Sequence, residues 1–499
     1  MAIKEKDNRL SLGYVSLGIC IAYTTIVSSS GILESYSFWI DELYTVLFTT
    51  GDWNSFWLEF IFPDTHPPLY FAVAKIWSQT FGLSEISLRS LSFGFSLITI
   101  FAIWHRWLKT HRISFIVMML LVVSSPSFLY YAQEARGYSA LILTSTCLFL
   151  TASEQRQKKC ANKTISNNLL FCFLCIGNSL VHYFGLIFSC VILLIEVFEN
   201  KIFEDRRITA MCFAGTLAWP FFHLGIVGEI GQAQTTKIAL TNQEWWYPLH
   251  AYSITNLPFI NSGRSIFDWS FGITLAIGTV MYIAVCTTNE RNQKELLQRS
   301  TFKYGVSVLV ISLVLLLLAN SISPISTYRN YVVFIAPTTM LISIACEKFL
   351  TDDTLLPRTK AAKYATLVAL TSGLILSIKI SSLNLDQKAF NNRNYKDLAN
   401  YIRVNNSCPE VCITTDFDPE KDTINLMGYY FQGIPLRGLP TTIGNSLPDN
   451  YSSTPFPLIG SGHTDKDIEE LASKHGYSKL EIISRRNNIY PKKAFILTH

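Results

Sequence analysis

Charge is scarce in this chain. Asp, Glu, Lys and Arg make up 15% of its 499 residues, whereas 49% are hydrophobic, and those are gathered into long runs rather than spaced with a helical or strand period. A water-soluble globular protein is thereby excluded and a polytopic membrane protein is implied. Internal repeats, low-complexity tracts and a phosphate-binding glycine loop are all lacking, which sets aside solenoids and P-loop nucleotide chemistry. The middles of the apolar runs contain almost no ionisable residue, so the midplane charges on which an ion-coupled transporter depends are missing too. No small-residue cleavage site follows the first run, and Lys4, Lys6 and Arg9 precede it, so it reads as a retained signal-anchor with a cytoplasmic N-terminus.

Runs long enough to cross about 30 Å of hydrocarbon fall near 12–33, 88–107, 113–131, 136–152, 168–183, 184–200, 207–227, 271–288, 303–320, 329–347 and 363–381. The stretch Leu69 to Phe81 is apolar but short, follows Pro67-Pro68 and carries Lys75 and Gln79, so it is expected to lie in the interface as a helix. Loop charge supports this choice. With eleven spans, the outside loops and span mouths before the tail hold only Lys75, Arg89, Arg136, Lys237, Arg264 and Arg329, while the inside loops collect most of the remaining basic residues. Counting 69–81 as a span would invert every later loop and destroy the bias. The net charge of +5 therefore has a topological origin, and no nucleic-acid partner is expected.

The predicted organisation is an α-helical polytopic membrane domain over 1–384, with a first outer loop at 34–87 and a second at 228–270, followed by a small soluble α/β domain over 385–499 outside the cytoplasm. In that tail Lys396 to Arg403 reads as an amphipathic helix and Val411 to Thr415 as a short strand. Nine of the eleven cysteines lie in or beside the spans, where a thiol serves as a small apolar side chain. Cys172 and Cys175 have CxxC spacing, but inside a span that spacing points to neither redox nor zinc chemistry. Cys408 and Cys412 face the outside, and whether they form a disulfide is open.

Polar residues gather at the outer ends of the spans. The first loop and the span after it contribute Asp41, Glu42, Asp64, His66 and Arg89. Gln133, Glu134, Arg136 and Tyr138 follow between the third and fourth spans, His182 and Tyr183 between the fifth and sixth, and Tyr328 and Arg329 before the tenth. All can converge on one cavity at the outer leaflet, where carboxylates act as general bases and guanidiniums and imidazoles hold a phosphate. Such groups suit transfer from a lipid phosphate to an acceptor. His223 reads as structural, Lys75 and Glu85 as scaffold, and Trp245-Trp246-Tyr247 as either a sugar-stacking surface or a membrane anchor. Asp416-Phe417-Asp418 before Pro419 reads as a turn.

Six motifs in series carry a resemblance: Trp39-Ile40-Asp41-Glu42, His66-Pro67-Pro68-Leu69-Tyr70, Phe81-Gly82-Leu83-Ser84-Glu85 leading to Arg89, Gln133-Glu134-Ala135-Arg136-Gly137-Tyr138, His182-Tyr183-Phe184-Gly185, and Ser323-Pro324 followed by Arg329. Over roughly 34–190, and more loosely over 320–340, the chain resembles the GT-C class of polytopic glycosyltransferases, in particular the bacterial branch of aminoarabinose transferases and protein O-mannosyltransferases. The resemblance implies a GT-C fold, a polyprenyl-phosphate-linked sugar donor and an outward-opening site that transfers with inversion. It also implies a glycan, lipid or protein acceptor, lipopolysaccharide or lipid A among them, in the bacterial inner membrane. Asp41 takes the place of the catalytic base, with Glu42 orienting the acceptor or sharing that role. Arg89, Arg136 and Arg329 take places near the donor phosphate, and Gln133, Tyr138, His182, Tyr183 and Tyr328 are candidate substrate contacts. His66 stands where aminoarabinose transferases carry lysine, which makes its phosphate contact depend on protonation and argues against aminoarabinose as the sugar. Asn330 stands where the family often has tyrosine. No cofactor is required, although a divalent metal could be held through Asp41, Glu42 or His66. A lipid-linked-sugar flippase or transporter and a non-catalytic assembly subunit are the alternatives.

Overall fold

The computed structural model describes residues 2–33, 37–64, 66–157, 165–199, 206–235, 247–256, 293–322 and 325–351, and in the tail residues 399–400, 403 and 429–430 with five strands. The spans expected at 271–288 and 363–381, Trp245, Trp246, Ser323, Pro324, Cys408 and the Asp416-Phe417-Asp418 turn lie outside these residues.

The chain opens with α1 (Ala2–Leu33), and the segment after it folds into α2 (Ile40–Thr49), a single turn α3 (Trp53–Ser55) running into a π-helical turn (Phe56–Ile61), and α4 (Leu69–Phe81). Next come α5 (Glu85–Thr110), α6 (Ile113–Ser124), α7 (Pro126–Tyr131), α8 (Tyr138–Gln157), α9 (Ile165–Val181), α10 (Tyr183–Glu199) and α11 (Arg206–Thr235). After α12 (Tyr247–Asn256) and α13 (Gln293–Ile322), a 3₁₀ turn (Tyr328–Phe334) leads into α14 (Ile335–Thr351). Among the described residues, four stretches are long and apolar enough to cross a membrane: Ser11–Ser29, Glu85–Thr110, Ser300–Ile322 and Tyr328–Lys348. Phe173, Phe198, Phe221, Phe222 and Ile322 stand exposed on these and neighbouring helices, as side chains facing lipid do. The protein is a multi-pass helical membrane protein.

The expected span at 113–131 is not one straight helix. Pro126 lacks the N–H that would continue α6, so the chain breaks at Ser125, whose Oγ caps the new helix by accepting the Phe128 N–H at 3.5 Å. α7 then ends in the Gln133–Gly137 turn that carries the central motif. The short segment 69–81 is a helix with the expected bounds.

Beneath that turn the helices are drawn together by Asn178 of α9. Its amide donates to the Gly185 carbonyl at 3.0 Å and to Ser189 Oγ at 3.2 Å, and it accepts from Thr144 Oγ1 at 2.8 Å, so one side chain ties α8, α9 and α10. Gly185 is what allows the approach, because a Cβ there would lie 2.3 Å from the Asn178 carbonyl oxygen.

In the tail, β1 (Val411–Thr414), β2 (Leu436–Leu439), β3 (Phe456–Ile459), β4 (Lys479–Ile482) and β5 (Ala494–Thr498) form a sheet in the order β2-β1-β3-β5-β4. β1 runs parallel to β2 and β3, and β5 antiparallel to β3 and β4. The strand expected at 411–415 is its central-region member β1.

Candidate active site

α2 carries the two adjacent acids and is fixed at both ends. At its start Glu42 reaches back to accept the Trp39 N–H at 3.3 Å, satisfying a donor that a helix N-terminus leaves unbonded. At its end the buried ammonium of Lys75 on α4 donates to the carbonyls of Thr49, Thr50 and Gly51 at 3.3, 3.1 and 2.9 Å. A buried lysine thus serves as a helix cap.

Consecutive helical residues point about 100° apart, and here the two carboxylates meet different surroundings. Glu42 is sealed: Arg89 donates through Nε to Oε1 at 2.8 Å and through Nη2 to Oε2 at 2.6 Å, and the Ala135 N–H donates to Oε1 at 2.9 Å. The side chains of Glu42 and Arg89 are 0% and 1% exposed. Arg89 also donates to the Ser37 carbonyl at 3.3 Å and lies over the Phe38 ring at 5.2 Å. Asp41 is instead ion-paired with Arg329, and this pair is partly exposed, the Asp41 and Arg329 side chains being 22% and 34% exposed. One pair is therefore interior and the other is open to a ligand.

Arg136 joins the open pair. Its Nη1 donates to the Asp41 carbonyl at 3.1 Å, its Nη2 lies 3.2 Å from His66 Nε2, and its guanidinium lies over the Phe71 ring at 5.5 Å. Arginine has only N–H donors, so His66 Nε2 is the acceptor. The His66 proton then sits on Nδ1, which donates to Asp64 Oδ2 at 2.9 Å. His66 thus bridges Asp64 of its own loop and Arg136.

His182 packs against His66 and Tyr138, with ring centroids 6.4 and 5.8 Å away, and its Nδ1 accepts the Phe184 N–H at 3.1 Å. Its proton therefore lies on Nε2. Burial, followed by His66 and the charges of Arg136 and Arg329, pushes its pKa down to about 3, so it stays neutral and able to donate one hydrogen bond.

The other sequence candidates spread around this centre. Tyr138 forms a wall with Tyr131, ring to ring at 4.8 Å. Tyr183 contacts His223 Nδ1 through its hydroxyl at 2.6 Å, and His223 Nε2 donates to the Phe62 carbonyl at 3.1 Å, which pins the first loop to α10 and α11. Gln133 is buried and donates to the Leu129 carbonyl at 2.9 Å, closing the end of α7. Tyr328 stands 44% exposed at the rim beside Tyr247.

Two residues gain importance that the sequence did not assign. Glu134 is buried, and its charge acts on Tyr130, Tyr138 and Arg329. Trp39 lies beneath Arg329, 5.4 Å from the ring centroid to the guanidinium. Both lie inside the recognised motifs, and an acid at the outer end of a charge-poor span was the available signal for Glu134.

Asp41, Glu42 and His66 are each engaged by a cation or an N–H, and among the described residues no three His, Cys, Asp or Glu side chains meet to hold a metal ion.

No family model matches the chain, and no curated protein matches its sequence. Solved structures do match. ArnT from Cupriavidus metallidurans superimposes in its apo state with a TM-score of 0.52 at 12% identity, over 98% of each chain. The same protein bound to undecaprenyl phosphate superimposes with a TM-score of 0.53 at 13% identity, over 97% of this chain and 98% of that one. The fold is that of the GT-C glycosyltransferases. An oligosaccharyltransferase from Archaeoglobus fulgidus, in complex with Zn and sulfate, aligns at a TM-score of 0.43 and 13% identity over 92% of this chain and 66% of that one.

Within this GT-C fold the cluster presents a carboxylate, two guanidiniums and two imidazoles beside aromatic rings. The carboxylate can take a proton and the guanidiniums can hold an anion. Partial exclusion of water strengthens both effects.

Proposed function

We propose that the protein is an inverting membrane glycosyltransferase that moves a sugar from a polyprenyl-phosphate donor to an acceptor outside the cytoplasm. The observation that carries this reading is the open Asp41–Arg329 pair with Arg136 alongside. A donor phosphate competes with Asp41 for Arg329, so donor binding would free the base at the moment it is needed. Asp41 then takes the proton of the acceptor hydroxyl, whose oxygen attacks the anomeric carbon from the face opposite the phosphate. The bond from that carbon to the phosphate oxygen breaks, its electron pair leaving with the polyprenyl phosphate. Arg136 and Arg329 neutralise the departing charge, which such a weakly basic leaving group requires more than it requires a proton. Arg89 acts at one remove, by holding Glu42 and with it α2. Tyr138, His182, Tyr183 and Tyr328 line the route of the sugar or acceptor, with Gln133 behind them.

The ArnT complex with undecaprenyl phosphate supports a polyprenyl-phosphate donor, the likeness to ArnT supports a bacterial inner-membrane protein, and the loop-charge bias supports a site and C-terminal domain outside the cytoplasm. The acceptor is a surface glycan, a lipid or a protein. Membranes containing the wild type, Asp41→Asn or Arg329→Lys, given a panel of labelled undecaprenyl-phosphate sugars and these acceptors, test the reading. Transfer by the wild type, at least about 100-fold reduced by Asp41→Asn, is expected. Equal transfer by the wild type and Asp41→Asn at equal expression would remove Asp41 as the base.

A further inference from the structure

The C-terminal domain touches the first outer loop at the start of the helix that bears Asp41. Tyr429 and Tyr430 lie in the crossover between β1 and β2. The Tyr430 hydroxyl accepts the Phe38 N–H at 2.6 Å, which directs its own proton to Glu85 Oε1 at 2.8 Å. Tyr429 donates to the Leu83 carbonyl at 3.0 Å and packs on the Phe38 ring with centroids 5.8 Å apart. Arg403 donates to the Tyr430 carbonyl at 2.6 Å, holding the pair from the domain side.

These contacts feed directly into the site. Residues 37–39 lead into α2 and each has its backbone held: Ser37 by Arg89, Phe38 by Tyr430 and Trp39 by Glu42. Arg89 and Glu42 hold each other, so one network runs from Tyr430 to the first turn of α2, where Asp41 meets Arg329 and Arg136. Tyr430 is the member of that network supplied from outside the membrane domain. Its hydroxyl joins Phe38 to Glu85, the first residue of α5, and so spaces the N-termini of α2 and α5.

We propose that Tyr430 is a positioning residue for transfer: the C-terminal domain, through this hydroxyl, sets the N-terminus of α2 and thereby the angle at which Asp41 meets the acceptor. The proposal rests on the glycosyltransferase reading. It makes the tail a part of the catalytic geometry. A shift of an ångström in a reacting group can cost about 100-fold in rate, and the loss of the hydroxyl's two hydrogen bonds, to Phe38 ahead of α2 and to Glu85 at the start of α5, is expected to reduce kcat about 10-fold.

The test uses the full-length protein in proteoliposomes with the undecaprenyl-phosphate sugar that the panel identifies, and undecaprenyl phosphate as a separate probe of donor binding. Tyr430→Phe keeps the ring and removes only the hydroxyl. Its kcat is expected to fall about 10-fold with donor KM, undecaprenyl phosphate affinity and thermal unfolding close to wild type. Replacing Tyr430 by 4-aminophenylalanine, whose amine both accepts and donates, should restore kcat. Glu85→Gln, which keeps an acceptor for the hydroxyl, should lose much less. Wild-type kcat in Tyr430→Phe, while Asp41→Asn abolishes transfer, would overturn the proposal and leave the glycosyltransferase reading intact. Parallel losses of folded protein, KM and kcat without rescue by the amine would overturn it too, showing a strut with no bearing on Asp41. If Asp41→Asn transfers normally, the underlying reading fails and the proposal falls with it.

Discussion

Replacing Arg89 by Met should destabilise the protein more than any change at the open pair, and a second substitution should relieve the damage. Arg89 gives Glu42 two charge-assisted hydrogen bonds at 2.8 and 2.6 Å in a place where both side chains are inaccessible. Removing the guanidinium leaves the carboxylate with the Ala135 and Trp39 N–H groups but without a counter-charge. Breaking a buried pair from one side costs about 3–5 kcal/mol. Adding Glu42→Gln removes the stranded charge while the amide oxygen still accepts from Ala135, so the double variant should lose only about 1–3 kcal/mol, the cost of imperfectly paired buried polar groups. Unfolding can be followed in detergent by labelling of the buried thiols Cys20, Cys172, Cys175 and Cys212, which become accessible only as the helices separate. The order expected is wild type, then the double variant, then Arg89→Met. A double variant no more stable than Arg89→Met would refute the argument that an uncompensated charge is what destabilises the single one.

The neutral His182 predicts a pH dependence of stability. Its folded pKa of about 3 lies below the ordinary 6.5, so between those values the unfolded chain binds the extra proton and stability falls as the pH is lowered, by up to about 1.4 kcal/mol per pH unit. His182→Gln should flatten that part of a thermal-stability profile between pH 6.5 and 5, and an unchanged slope would contradict the assignment. Gly185→Ala should cost about 1–3 kcal/mol, because its Cβ would stand 2.3 Å from the Asn178 carbonyl and force α9 and α10 apart. The same thiol-labelling measurement checks this, and unaltered unfolding would show that the helices can separate freely there.

Much of the site was legible as a list of residues. Asp41, Glu42, His66, Arg89, Arg136 and Arg329 were identified because charge is costly near a membrane and its placement is therefore selective. Their division of labour was not legible. Nothing local distinguishes Asp41 from Glu42, or Arg89 from Arg329, since the distinction lies in which partner arrives from 47, 95 or 288 residues away. Lys75 and Glu85 were legible only as scaffold, and the structure gives each its contact, one capping α2 and the other receiving Tyr430.

The sequence by itself determined that the chain lives in a membrane, where most of its helices run, that 69–81 is a short separate helix, and which ends of the spans carry polar groups. These follow from hydrophobic length and charge, which act over one stretch of chain at a time. The tertiary structure alone decided that Pro126 splits a span to form the turn of the central motif, that one acid is sealed and its neighbour open, that His66 serves Arg136 as an acceptor, and that a tyrosine of the tail holds the start of α2. Each of those outcomes depends on partners distant in sequence meeting within a few ångströms, and hydrogen bonds and ion pairs at that range are set by packing in three dimensions.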